Sequence, residues 1–155
     1  MTKIHNIDTV PAEFTDDPEL ISAMSTRYLG ALAGSERIYV NVDYVKPGGK
    51  SVKYHSHSHQ EEFFLVLRGS GTLRIQDQHL AVKQGDFIAK PAGKGIAHQF
   101  INDGEGVLEI LDCGLPAPDD VIDYPDENIR YVKAEGRVLR DDVEIQDWSS
   151  DPNEA

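Results

Sequence analysis

The sequence is short of cysteine, of basic residues and of long apolar runs. Its single cysteine, Cys113, leaves no intrachain disulfide to form and no cysteine cluster to hold zinc. That suits a reducing compartment. Against 27 acidic residues stand 15 basic ones, a net charge of −12. A surface of that sign does not replace the counterions of nucleic acid and does not dock on anionic lipid. Neither nucleic acid nor membrane is therefore expected as a partner. No apolar stretch approaches the roughly 18 residues of a membrane span. The start, Met1-Thr2-Lys3-Ile4-His5-Asn6, lacks the apolar centre of a signal peptide. The expectation is a soluble cytoplasmic protein.

What is present fits one compact domain. The chain has 155 residues, 39% hydrophobic and 27% charged, a globular profile with room for one core. Residues 1–25 carry Pro11, Pro18 and acids from Glu13 to Glu19, and read as an irregular arm with a helical turn after Pro18. Residues 26–114 alternate strand-like runs with Gly, Pro, Asn and Asp, the spacing of an all-β barrel or sandwich. Strands are expected near 28–33, 37–46, 51–57, 62–68, 71–76, 79–83, 86–90, 97–102 and 107–113. Arg37 to Lys46 alternates with period two. Gln76-Asp77-Gln78 reads as a tight turn, and Asp103-Gly104-Glu105-Gly106 as a hairpin turn. Residues 115–155 form an acidic extension. Pro116, Pro118 and Pro125 argue for a wrapping segment over 115–128 rather than a central strand. A short hairpin is expected over 129–133 and 137–139, with the last residues mobile. Trp148 and Tyr131 are expected to pin this extension to the barrel or to a second subunit.

The chemistry concentrates in Tyr54-His55-Ser56-His57-Ser58-His59-Gln60-Glu61-Glu62. Residues two apart on a strand share a face, so His55 and His57 can present two imidazoles side by side. His59 continues that parity if the strand runs straight, and His57, His59 and Glu62 make a rival metal-binding spacing. Glu61 or Glu62 adds a carboxylate. Imidazole with carboxylate suits Zn, Fe, Mn, Ni or Co rather than Ca or Mg. A further histidine, His98, opens a strand after Gly93 and Gly95, with Phe100 on its face.

These residues resemble the two sequence motifs of the cupin superfamily. Gly49, His55, His57, Glu62 and Gly69 match the first motif in every spacing, and Gly85, Pro91, Gly93, His98 and Asn102 follow the second. One departure stands out. Four residues separate Gly93 from His98 where the usual pattern has two. The resemblance covers about residues 37–113. The tail, including Val121-Ile122-Asp123-Tyr124-Pro125-Asp126, is similar to a little-characterised bacterial subgroup of single-domain cupins.

The resemblance implies a double-stranded β-helix, the cupin jelly-roll barrel. It implies a divalent transition metal (Zn, Fe, Mn or Ni) on His55, His57, Glu62 and His98, with positions left open for water or a small organic ligand. His59, Glu61, Tyr54 and Gln99 are the candidates for places behind the ligands. The expected function is a dioxygenase or an isomerase of sugars or sugar phosphates. The alternative is a non-catalytic cupin that binds or senses a small molecule. The interior near the metal is expected to be largely apolar, with Phe64, Val66 and Arg68 sharing the face of Glu62. Barrels of this kind pair through edge strands, so a homodimer is expected, with the 28–33 strand as donor.

Overall fold

The computed structural model describes residues 3–12 and 23–153. The first sheet has five strands, all pairing antiparallel. They are β1 (Met24–Tyr28), β2 (Tyr39–Val45), β4 (Glu61–Arg68), β7 (Phe87–Lys90) and β9 (Leu108–Leu115), in the order β1-β2-β9-β4-β7. The second sheet holds β5 (Ser70–Ile75), β6 (Gln78–Lys83) and β8 (His98–Ile101), in the order β6-β5-β8. The third joins β3 (Ser56–His57) to β10 (Val121–Tyr124), β11 (Ile129–Val132), β12 (Arg137–Arg140) and β13 (Val143–Ile145). A bridge between His55 and His98 ties the chain before β3 to the second sheet. No helix among the described residues is long and apolar enough to cross a membrane.

Side chains alternate across a strand, and the two-residue period decides what lies inside. In β4, Glu62, Phe64 and Val66 are buried, while Glu61 and Phe63 face out. Phe64 and Val66 meet Val45 from β2, Leu108 and Ile110 from β9, Leu73 from β5 and Phe100 from β8. The first two sheets thus close over one apolar core. Burying each such side chain contributes about 1.5–3 kcal/mol. The parity breaks at the end of β4, where the pairing with β9 shifts register between Val66 and Arg68. Arg68 therefore turns to solvent and pairs with Glu109, against the expectation that it shares the inward face.

Three local expectations are corrected by the structure. The expected strand over 28–33 is split: β1 ends at Tyr28, and Leu29–Ala33 forms a short helix, α1. A Cβ on Gly30 would come within 2.8 Å of the Val40 amide nitrogen, so α1 sits on the start of β2 only because residue 30 has no side chain. Residues 103–106 do not close a hairpin. They cross from β8 in the second sheet to β9 in the first, and the Asn102 amide holds the corner by donating to Val45 O and Gly106 O. The proline-flanked segment after Leu115 does form a strand, β10, which pairs with β3 through Ile122–His57 and Asp123–Ser56. Pro118 and Pro125 lie just outside it and remove no ladder donor.

Other expectations hold. Gln76 and Asp77 both take left-handed φ in the β5–β6 turn, and β11 pairs β12 as a hairpin. Trp148 packs on Tyr124 within the extension, with ring centroids 4.5 Å apart, and meets the 26–114 segment through the Lys53 ammonium, 5.1 Å from its ring centroid. Residues 150–153, expected among the mobile last residues, are instead fastened there: the Lys53 amide donates to Ser150 O, and Asn153 bonds both ways with the Lys50 backbone. The helical turn expected after Pro18 lies outside the described residues.

Candidate metal centre

The backbone brings the histidines together before any side chain acts. His55 and His98 exchange both main-chain hydrogen bonds, at 3.2 and 2.9 Å, which sets their rings 4.8 Å apart. His57 lies two residues on in β3, on the same face, and its ring stands edge-on to that of His55. Glu62 comes from the start of β4. All four side chains are buried. His55, Glu62 and His98 each offer a ligand atom within 4.8 Å of the others. His57 Nε2 lies 3.1 Å from His55 Nε2 and 3.2 Å from Glu62 Oε1.

The hydrogen bonds on the far sides of the rings fix their tautomers. His55 Nδ1 donates to Lys53 O at 2.8 Å, because a carbonyl only accepts. His57 Nδ1 donates to the Asp120 carboxylate at 2.5 Å. Both Nε2 atoms then carry lone pairs, facing each other across 3.1 Å and facing Glu62 Oε1. Gln60 and Tyr39 donate to Glu62 Oε1 from its other side, but the two imidazole lone pairs and this oxygen still face one another and repel. The arrangement calls for a cation between them, and a borderline divalent ion suits imidazole nitrogen with carboxylate oxygen. The donor set therefore fits a metal.

Burial first, then the Lys90 charge, lowers His55 to a pKa of about 3 and holds His98 well below the usual histidine range. Both are neutral near pH 7, as a ligand must be; His98 Nδ1 accepts from the Lys90 ammonium, so its proton sits on Nε2 and a metal there requires that proton to leave. Burial alone would raise Glu62. The Lys90 ammonium beside it works the other way and keeps the carboxylate ionised.

Asp120 is the hub behind His57. Fully buried, it accepts from Ser58 Oγ, from the main-chain N–H of His59 and Gln60, and from His57 Nδ1. Burial works against its ionisation, and these donors overcome it and lower its pKa. Lys90 is the second buried partner. Its ammonium lies 2.5 Å from Glu62 Oε2 and 2.8 Å from His98 Nδ1. Glu62 Oε2 is in ion-pair contact but off the hydrogen-bond direction, and it has no hydrogen-bond donor. Desolvation pulls Lys90 below the ordinary lysine value despite the attraction of Glu62.

One row across the first sheet explains much of this. Register places Tyr39, Gly114, Glu62 and Lys90 side by side on β2, β9, β4 and β7. A Cβ on Gly114 would lie 2.8 Å from the Tyr39 hydroxyl. The bare glycine lets the Tyr39 side chain cross its neighbour. Its hydroxyl reaches Asp112 Oδ1 at 3.0 Å and Glu62 Oε1 at 3.3 Å. Burial and the two carboxyls push Tyr39 far above the usual phenol value, so it stays a donor. Asp112 is itself pushed up to about 8 by burial and by Asp43 and Glu62. Asp43 is raised to about 6 by burial, against a hydrogen bond from Thr26.

Asp43, Asp112, His55, His57, Glu62 and His98 line one cavity of about 220 Å³. The expected apolar company is there in Phe64, Phe100 and Ile110, but Asp43 and Asp112 add polar groups that the expectation did not include. The signal was in the period-two pattern: Asp43 shares parity with buried Val45, and Asp112 with buried Leu108 and Ile110. Lys90 was legible only through its pairing with Glu62, and Asp120 had no signal in a segment read as irregular.

The residues expected behind the ligands are placed unequally. His59 is exposed, with Nδ1 near Ser58 Oγ and Asp119 O, and serves the site through its main-chain N–H to Asp120. The chain turns between β3 and β4, so parity does not carry His59 inward. Glu61 points to the outer face of β4. Tyr54 accepts from the Asp77 amide under the Arg74 guanidinium, and the Gln99 amide donates to Val52 O. Both face away from the imidazoles.

Residues 41–114 match the family model of the cupin domain. The chain carries a cupin domain. Its fold is that of a sugar phosphate isomerase from a cupin superfamily of Silicibacter pomeroyi DSS-3, with TM-score 0.81 and 25% identity, covering 93% of this chain and 97% of that one. A protein of Acidithiobacillus ferrooxidans ATCC 23270 named for sugar phosphate isomerase activity matches with TM-score 0.73 and 29% identity, over 81% of each chain. In sequence, an uncharacterised protein of Methanocaldococcus jannaschii is 32% identical over 72 residues, 46% of this chain and 56% of that protein. The chain spans less than two thirds of the length of the curated relatives it matches.

Proposed function

We propose that this cupin is a metal-dependent isomerase that moves a proton between neighbouring carbons of a small hydroxy-carbonyl compound. The observation that carries the reading is the meeting, in one cavity, of a metal-fitting donor set with the carboxyl of Asp112, to which Tyr39 donates from behind the lining. His55, His57, Glu62 and His98 would hold the ion, which when bound polarises a carbonyl or hydroxyl oxygen. The side chains do the rest. Asp112 takes the proton from the hydroxyl-bearing carbon beside the carbonyl and returns it to the carbonyl carbon, while the hydroxyl proton passes to the former carbonyl oxygen, so no proton is gained or lost overall. Tyr39 holds the Asp112 carboxyl in place. A group whose pKa lies near the working pH suits both halves of that transfer. The names of the two similar solved proteins support the same class.

The test combines elemental analysis with proton exchange. Purified protein should hold about one divalent ion per chain, and His55→Ala and His98→Ala should hold far less. With aldoses and ketoses in D2O, wild type should place deuterium beside the carbonyl, and Asp112→Asn should not. Equal metal in all three proteins defeats the metal assignment. Metal and ligand binding without any exchange would make this a binding module instead. We also keep a homodimer as a proposal: β1 is an edge strand, with Leu32 and Ile38 exposed beside it. A monomer by light scattering counts against it.

A further inference from the structure

The cavity's charge composition narrows the ligand further, on the footing of the isomerase reading above. Its lining contains three carboxyl residues, Asp43, Glu62 and Asp112, and no lysine or arginine among the described residues. The nearest cation, Lys90, does not line it and is held by Glu62 and His98. At about 220 Å³ the space equals roughly seven waters at about 30 Å³ each. A phosphate group entering there meets carboxyl groups and finds no side-chain cation, and proteins clamp phosphates with arginine, lysine or helix N-termini. Were phosphate to take the metal itself, the carbonyl would lose its polarising partner.

Carboxyl groups instead suit hydroxyls, which donate to them. Asp43 on β2 and Asp112 on β9 stand on adjacent strands, with Asn41 facing Asp112 and Asp43 facing Ile110. Two carboxyls offset by one register step on the same face can each hold a hydroxyl of a neighbouring pair. Asp112 Oδ1 is occupied by Tyr39 and Asp43 Oδ1 by Thr26, which aims both groups and leaves their second oxygens for a ligand.

We infer that the cavity takes an uncharged polyhydroxylated carbonyl compound, an unphosphorylated small sugar, and that Asp43 and Asp112 select it against its phosphate ester.

Calorimetric titration of zinc-loaded protein with a panel of three- to six-carbon aldoses and ketoses, each beside its phosphate ester, tests this. A free sugar should bind at least tenfold tighter than its ester. In Asp43→Asn and in Asp112→Asn that ratio should fall by about tenfold, through weaker sugar and stronger ester binding. Circular dichroism and zinc content confirm that each variant is folded and loaded. Inorganic phosphate, used as a probe, should not compete with the sugar. Tighter binding of the ester by wild type overturns the inference, and so does binding of neither compound. Binding of the free sugar without deuterium exchange leaves this inference standing and overturns only the isomerase reading.

Discussion

Replacing Asp120 with asparagine should disable His57 as a ligand without touching the cavity wall. Asp120 Oδ1 accepts from the His59 amide at 2.8 Å, the Gln60 amide at 3.3 Å and Ser58 Oγ at 3.1 Å, while Oδ2 accepts from His57 Nδ1 at 2.5 Å. An asparagine has the same shape but only one accepting oxygen. If that oxygen stays with the two main-chain donors, the NH2 group confronts His57 Nδ1–H. If the amide flips, two buried N–H groups lose their acceptor, at about 1–3 kcal/mol each. The cheaper outcome is a change of His57 tautomer, with the proton moved to Nε2. That nitrogen then has no lone pair for a metal. Partners behind a metal ligand typically govern affinity by about 10–100-fold, or about 1.4–2.7 kcal/mol. The charge-assisted bond itself contributes about 1.5–3 kcal/mol to folding. Zinc titration and urea melts of Asp120→Asn read the two quantities separately. Because the Asp120 pKa is depressed in the fold, its stabilisation is present above the unfolded carboxyl value of about 3.9. It is lost as pH falls through the folded value. The variant should lack that acid-side loss. Zinc affinity within twofold of wild type, with an unchanged acid limb, would refute the role given to Asp120.

Lys90→Met strands the buried Glu62 carboxylate, so metal-free protein should lose about 3–5 kcal/mol in urea melts, and bound zinc should restore most of it. An unchanged melt in the absence of metal would contradict the ion pair. Asp112 has a folded pKa of about 8, above its unfolded value of about 3.9. Its favourable contribution is complete below that unfolded value and is lost as pH rises through the folded one, so Asp112→Asn should flatten the decline in metal-free stability between these limits. A decline as steep as wild type's would count against the burial of a carboxyl there. His59→Ala, losing an exposed ring while keeping the amide that serves Asp120, should change zinc affinity less than twofold. A tenfold loss would return His59 to the ligand set.

How much of this was readable in the chain depends on the kind of signal. The barrel was carried by period-two patterning and by two glycine-framed motifs, both local in sequence. His55 and His57 lie two apart in that pattern, and Glu62 follows within one motif. Tyr39, Asp43 and Asp112 were recoverable in principle. Each sits on an inward parity fixed by apolar neighbours, but an acid inside a strand reads first as a solvent-facing residue. Tyr54 and Gln99 show the opposite error, since nearness to a ligand in sequence did not put their polar ends on its side.

The remaining part of the site is non-local in a way that no spacing reveals. Asp120 lies 63 residues from His57 and reaches it because β10 pairs with β3, through the only two register pairs that join them. Such a short contact cannot be specified by strand propensity, and the prolines around it argue locally against a strand. What stabilises it is the set of buried donors that converge on Asp120, with Trp148 packed on Tyr124 at the far end of the same strand. The tail therefore belongs to the centre's chemistry: Asp120, the residue just before β10, supplies the carboxylate that sets the His57 tautomer, and β11 to β13 pair in turn behind β10. Folding of the third sheet and assembly of the donor set are one event. A metal bound at the centre should accordingly protect the β10–β11 amides from hydrogen exchange along with those of the barrel.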